Sequence, residues 1–273
     1  MTPRWGSLLV AREYAHATQG WSDEGERQAF SGLLPLPEGA RVLDIGVGGG
    51  RSASFLATPG VSYLAIDSSA EMVRLARRNY PHADVRLGDA ADLSGFAAGS
   101  QDLVVFSLNG LDCLTHDQRL GFVAAAHRLL GPGGRLVFST HNLDGPSSRQ
   151  RPRGRQIVEA VNRPGAINTA RALPGAALRL TTSHWFYRRN VGQGEQHDGW
   201  ATAPLRAHEF RFVVHFCRLA AVVGDVRAAG LDVEEIWTDD GRAIAVDQVT
   251  HDAHYAHLVC RKPAAAPPAG YSA

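Results

Sequence analysis

The chain has 273 residues, 44% of them hydrophobic, and a formal net charge of +1. That length supports a substantial core, and a charge so near zero excludes a global attraction to nucleic acid or to an anionic membrane. Cys113, Cys217 and Cys260 are widely spaced and odd in number, which excludes a disulfide framework or a zinc spacing and suits a reducing cytoplasm.

Residues 1–38 read as amphipathic helix closed by Pro35 and Pro37, an N-terminal lid. The apolar run near Met1 is too short for a signal peptide, and no run of about 20 apolar residues predicts a membrane span. Strands and helices then alternate over 39–142. Arg41–Gly46 reads as a buried strand, Ala53–Leu56 as helix, and Ser62–Ile66 as a second strand. Ser68 and Glu71 have capping-box spacing before "AEMVRLARRNY". Val85–Leu87 and Leu103–Ser107 read as strands three and four. Thr115 and Gln118 start a helix that runs to Leu130, where "GPGG" ends it, and Arg135–Thr140 is a fifth strand. This rhythm predicts an α/β fold, a parallel sheet with helices on both faces.

The rhythm breaks after Asn142. Residues 143–216 read as an inserted cap over the substrate. Six arginines and one acid, Glu159, lie between Ser147 and Arg171, and Gln156–Asn162 reads as helix. "LRLTTSHWFYRRN" and "HEFRFVVHF" read as two strands that could form one antiparallel pair. The regular pattern resumes over 217–262. Leu219, Val222, Val223 and Val226 make an i, i+3, i+4, i+7 face, Gly230 ends that helix, and "LDVEEIWT" and "HYAHLVCRK" are two last strands. The tail 263–273 is of low complexity and reads as disordered.

The chemistry concentrates in "VLDIGVGGGR", a strand running into Gly46, Gly48, Gly49 and Gly50. Such a turn lays a ligand over exposed backbone amides at a helix start. Arg51 stands where a dinucleotide fingerprint would have its third glycine, which argues against NAD or FAD. Asp67 ends the second strand, where an acid can take both ribose hydroxyls. "GDAADL" and "FSLNGLDCL" follow strands three and four at the same sheet edge.

With "AIDSSAEMV" and "LLGPGGRLVFS", these segments resemble the class I S-adenosylmethionine-dependent methyltransferases, over about residues 40–142 and again, more loosely, over 218–262. The resemblance implies a Rossmann-like, seven-stranded sheet whose last strand is antiparallel, with S-adenosyl-L-methionine as cofactor. Gly46, Gly48 and Gly50 would carry its methionine part, and Asp44 would fix that loop and approach the amino group. Asp67 and Ser68 would bind the ribose side, and Met72, Asp89 and Ala90 the adenine. Ser107, Leu108 and Asn109 would pass the sulfonium, and Tyr14 would close the lid.

Methyl transfer needs alignment and exclusion of water, and an acceptor that must lose a proton also needs a base. Asp112 and His141 are the nearest candidates, with Asn109 and Asn142 as orienting groups. His184 and His215 in the insertion could face the same pocket, and Trp185 and Tyr187 could supply aromatic surface for the acceptor. His251, His254 and His257 recur every third residue, but in a strand or loop they need not converge, and no metal is expected. The expected function is N- or O-methylation of a small molecule in specialised metabolism. A cofactor-consuming cyclisation that releases methylthioadenosine and a non-catalytic binding protein remain alternatives. The partner is a small-molecule acceptor, with neither nucleic acid nor membrane involved.

Overall fold

The computed structural model describes residues 20–152 and 181–264. Tyr14, the helix expected over Gln156–Asn162 and nearly all of the expected tail lie outside the described residues.

One sheet organises the chain. Its strands are β1 (Arg41–Ile45), β2 (Ser62–Asp67), β3 (Asp84–Leu87), β4 (Gln101–Phe106), β5 (Leu130–His141), β8 (Asp232–Thr238), β9 (Ala243–Ile244) and β10 (Tyr255–Arg261). Their order is β3-β2-β1-β4-β5-β10-β8-β9. The first five are parallel, and β10 is antiparallel to both β5 and β8. The sheet has eight strands rather than the expected seven because the two-residue β9 adds an edge to β8. Alternate side chains feed the two faces. Leu43, Ile45, Val104 and Phe138 meet α4 (His116–Leu129) and α6 (Leu219–Ala228) on one side. Val42, Ala65, Leu103 and Val105 face α1 (Glu24–Ser31), α2 (Ala53–Leu56) and α3 (Ala70–Asn79) on the other. Trp21 packs at a tilt and Phe30 edge-on against Phe55, which seats α1.

Local starts and stops differ in detail from the expectation. The cap of α3 is Ser69, not Ser68: its hydroxyl accepts from Met72 N, while Asp67 holds the Ser69 amide at 2.8 Å. Thr115 and Gln118 do form a capping box on α4. That helix ends at Leu129, and Leu130 is already extended. "GPGG" therefore lies at the irregular start of β5, where the register against β4 shifts and Gly133 takes φ +78°.

The insertion departs most. Residues 181–190, expected as strand, are helical, α5. Their inward positions are 183, 186, 187 and 190, a 3.6-residue face that the aromatic content hides. The antiparallel pair is instead β6 (Trp200–Pro204) with β7 (Val213–Cys217), in register from Trp200–Cys217 to Pro204–Val213. A bridge between Asn142 and Cys217 joins β7 to the end of β5, which brings this pair to the carboxyl edge of the sheet.

Candidate active site

A cavity of about 1320 Å³ opens at that edge. Pockets for a single small ligand run roughly 300–1,000 Å³, so this one has room for two molecules. One end is built from the turns after β1, β2 and β3, and includes Gly46, Gly48, Asp67, Ser68, Met72, Asp89 and Ala90. Gly48 has φ +56°, and a Cβ there would point into open space. The loop is therefore bare towards the cavity without being crowded. Asp67 accepts from Gly48 N at 2.9 Å and from Ser69 N, so it shapes the loop and still presents oxygens to a ligand. Burial raises its pKa, and the two amides only partly offset that.

The other end is built from β4, β5, β10 and the insertion. Ser107, Leu108, Asn109, His141, His208 and Tyr255 line it. Leu108 and Asn109 both have positive φ, 52° and 55°, and Glu209 and Phe210 beside His208 have 51° and 60°. Among the described residues these are the only non-glycine positions in the left-handed region. Such strain persists where surrounding structure over-determines it, and it gathers at functional sites. Asn109 N is fixed by Ser139 Oγ at 2.7 Å.

Asp112 organises this end from below. It is buried and accepts from Arg119, from Thr140 Oγ1 at 2.7 Å and from His141 N at 2.7 Å. His141 Nδ1 lies 2.6 Å from Oδ2, the oxygen that also takes the His141 amide, while Arg119 and Thr140 share Oδ1. Burial pushes the carboxyl pKa up, but the Arg119 charge and the His141 bonds outweigh it and hold Asp112 below its ordinary value. An ionised Asp112 makes Nδ1 the protonated nitrogen, so Nε2 carries the lone pair. Nε2 faces Asn109 Nδ2 at 3.5 Å, a contact too long to occupy it fully.

Several expected site residues stand elsewhere. Asp44 lies under the glycine loop, bonded to Ser52 and to Tyr63 OH at 2.7 Å; burial raises its pKa to about 6, and it does not reach the cavity. Gly50 faces Tyr80, whose ring is 2.7 Å from where a Cβ would sit, so it serves packing rather than the cavity. Asn142 ties the β5 turn to the His251 and Ala253 carbonyls. His184 and Trp185 sit on the outer face of α5, and Tyr187 packs edge-on against Phe210. His215 points away from the cavity, into a stack with Trp200 and His116, where burial lowers its pKa to about 3.

Other residues enter unannounced. Tyr255 had a signal: an antiparallel strand must begin at the carboxyl edge of its parallel neighbours, and Tyr255 pairs directly with His141. Asp239 follows β8 at the same edge. His208 had none, because the insertion's path is not written in a local pattern. Burial, and then repulsion from His141 whenever that ring is protonated, lowers its pKa to about 4, so it is neutral near pH 7.

The Rossmann-like sheet, the bare glycine loop, Asp67 at the end of β2 and the second ligand end agree with the fold implied by the resemblance to class I S-adenosylmethionine-dependent methyltransferases. Residues 42–134 match the model of the family described as "Methyltransferase domain". The residues present fit S-adenosyl-L-methionine: the Gly48 position is open and Asp67 keeps lone pairs towards the cavity. The chain is 33% identical over 143 residues to the ubiquinone biosynthesis O-methyltransferase of Xanthomonas axonopodis, across 47% of this chain and 58% of that protein. It is 35% identical over 144 residues to an uncharacterised methyltransferase of Synechocystis, across 53% and 65%. The chain thus spans about 58% of the first curated relative's length. Among solved structures, the CcbJ methyltransferase of Streptomyces caelestis superposes with TM-score 0.55 at 21% identity, covering 90% of this chain and 92% of that one. A methyltransferase of Mesorhizobium loti gives 0.52 at 19%, covering 87% and 97%. At these identities the structures speak for the fold.

Proposed function

We propose that the protein methylates an N or O atom of a small molecule in specialised metabolism, with His141 as the base that removes the acceptor's proton. The observation that carries this reading is the Asp112–His141 pair at the cavity wall. The carboxylate fixes one ring nitrogen, and the other faces the space next to the Ser107–Asn109 turn. Bound S-adenosylmethionine supplies a methyl group made electrophilic by its sulfonium. This chain supplies the rest. Gly46, Gly48 and Asp67 hold the cofactor, Met72, Asp89 and Ala90 flank its base, and Leu108 and Asn109 pass the reacting centre. His141 Nε2 takes the proton, Asp112 stabilises the imidazolium, and Arg119 keeps Asp112 ionised. Leu205, Val214 and Tyr255 cover the acceptor end and exclude water, which strengthens each of these interactions. The relative named for O-methylation supports an oxygen acceptor. The neutral hydrogen-bonding wall of Asn109, Ser147, His208 and Tyr255 supports an acceptor that carries hydroxyl or amino groups.

The test is product analysis by mass spectrometry. Incubation with S-adenosylmethionine and a panel of phenols and amines should give S-adenosylhomocysteine and a product heavier by one methylene. Steady protein-dependent release of methylthioadenosine from the cofactor alone would replace methyl transfer with a ring-closing reaction.

A further inference from the structure

Three lone-pair-bearing groups at the acceptor end lack a full set of donors. Asn109 is 8% exposed and lines the cavity, and its Oδ1 is buried with no partner among the described residues. His141 Nε2 carries a lone pair, so the Asn109 NH2 group faces it and Oδ1 turns the other way. Oδ1 and Nδ2 share one carbon, which sets Oδ1 beside Nε2. The third group is Asp239, the only acid lining this end. Its Oδ1 takes the His254 amide at 3.3 Å, and its other oxygen takes no hydrogen bond among the described residues. Arg242, in the same turn, pairs with Asp240 and Asp252 instead. Arg206, on the turn between β6 and β7, is exposed and has contacts of its own. Tyr255 pairs with His141 on one side, and its carbonyl takes the Asp239 amide at 3.3 Å on the other. His141, Tyr255 and Asp239 therefore stand in a row across three neighbouring strands, β5, β10 and β8. At ~4.8 Å per strand, the row is roughly 10 Å long.

A buried lone pair left without a donor is unfavourable, so the ligand that satisfies more of them is preferred. A hydroxyl has one hydrogen to give. An uncharged primary amine has two, and keeps a lone pair for the methyl group. A carboxylate without a countercharge at the wall favours a cation. Resting on the N- or O-methylation reading above, we propose that the methyl acceptor is a primary amine that carries a second, cationic nitrogen. Its reacting NH2 group meets His141 Nε2 and Asn109 Oδ1, and its ammonium meets Asp239. In the transfer, the amine lone pair forms the new N–C bond as the C–S bond breaks and its electron pair stays on sulfur. One amine hydrogen passes to His141 Nε2 as a proton, and the other remains on Asn109 Oδ1. The row from His141 to Asp239 sets the spacing of the two nitrogens, about that of a ring and a short arm.

The test is calorimetry with three matched probes on protein saturated with S-adenosylhomocysteine. 4-(2-Aminoethyl)aniline has an uncharged ring amine and an ammonium arm, 4-ethylaniline lacks the ammonium, and tyramine has a hydroxyl in place of the ring amine. The native protein should bind the first ~5–20-fold more tightly than 4-ethylaniline, the range expected for a half-exposed charge pair. It should bind it ~10-fold or more tightly than tyramine, which leaves one buried lone pair unmet. Asp239→Asn should bring the first ratio close to one and keep the second. Asn109→Gly, which accepts the φ of 55° without strain, should do the reverse. Parity of either pair of probes on the native protein overturns the proposal, as does tighter binding of tyramine or no binding of any probe. A ratio that survives in its own folded variant overturns it too. Failure of S-adenosylhomocysteine itself to bind would instead sink the cofactor reading.

Discussion

The two ends of the cavity are built by different means. The cofactor end is mostly backbone: the Gly46–Gly49 turn, the start of α3, and one carboxylate that braces two amides. Its members come from about 45 consecutive residues. The acceptor end is side chains brought from distant positions: Asn109, His141, His208 and Tyr255. Each end also has a buried carboxylate beneath it, and burial acts on the two with opposite results. Asp44 has only hydroxyl donors for direct partners and is pushed up to about 6. Asp112 has Arg119 and is held down. The cofactor end can afford a carboxyl that is easily neutralised because it only braces a loop. On the proposed mechanism the acceptor end requires a fixed negative charge, because a proton would arrive next to it.

The variant that should separate the ends most is His141→Ala. Turnover of whichever acceptor product analysis identifies should fall ~10²–10⁴-fold, with S-adenosylhomocysteine affinity unchanged within about threefold. Equal losses in both would merge the two ends into one function. The carboxylates give the next largest effect, in the pH dependence of stability. Burial raises the folded-state pKa of Asp44 above the ordinary carboxylate value, so ionising it opposes folding. Stability assigned to Asp44 therefore falls as pH rises from about 4 to about 6. Asp112 is depressed, so its contribution is present above its unfolded value and is lost as pH falls below it. The stability of Asp44→Asn, measured by denaturation, should thus rise relative to that of the native protein by up to ~3 kcal/mol between pH 4 and pH 7, at 1.36 kcal/mol per pKa unit. Asp112→Asn should move the other way. Slopes of one sign would erase the contrast.

Asp67→Ala should weaken S-adenosylhomocysteine by ~10–100-fold in calorimetry, since charge-assisted ribose bonds go. Methylation kinetics at saturating cofactor should suffer much less. The smallest effect is expected at Trp185, which is 55% exposed on the outer face of α5. Trp185→Ala should leave affinity and turnover within about twofold, as surface substitutions usually do. A large loss of turnover would return α5 to the acceptor site.

The same contrast explains what the sequence reveals. A buried apolar run such as Val42–Ile45 followed by glycines is a local pattern, so β1, its turn and Asp67 can be read directly. The capping box at Thr115 is equally local. In the insertion, the aromatic content of 181–190 suggests a strand while the period of its buried positions is helical, and only the period sees tertiary packing. His215 and His208 lie seven residues apart in one loop-strand segment, yet one turns to Trp200 and the other to the cavity. Nothing in their neighbours' identities distinguishes them. The turn at Glu209–Phe210, with two left-handed residues and no glycine, decides it, and no turn rule predicts that conformation for those residues.

The central claim is that the Gly46–Gly49 turn is the seat of S-adenosylmethionine, and one calorimetric titration tests it most directly. Native protein should bind the cofactor at one site per chain. Gly48→Val places a branched side chain where a Cβ now meets open cavity, so a folded variant should show no binding heat. Absence of binding by the native protein, or undiminished affinity in folded Gly48→Val, would contradict it.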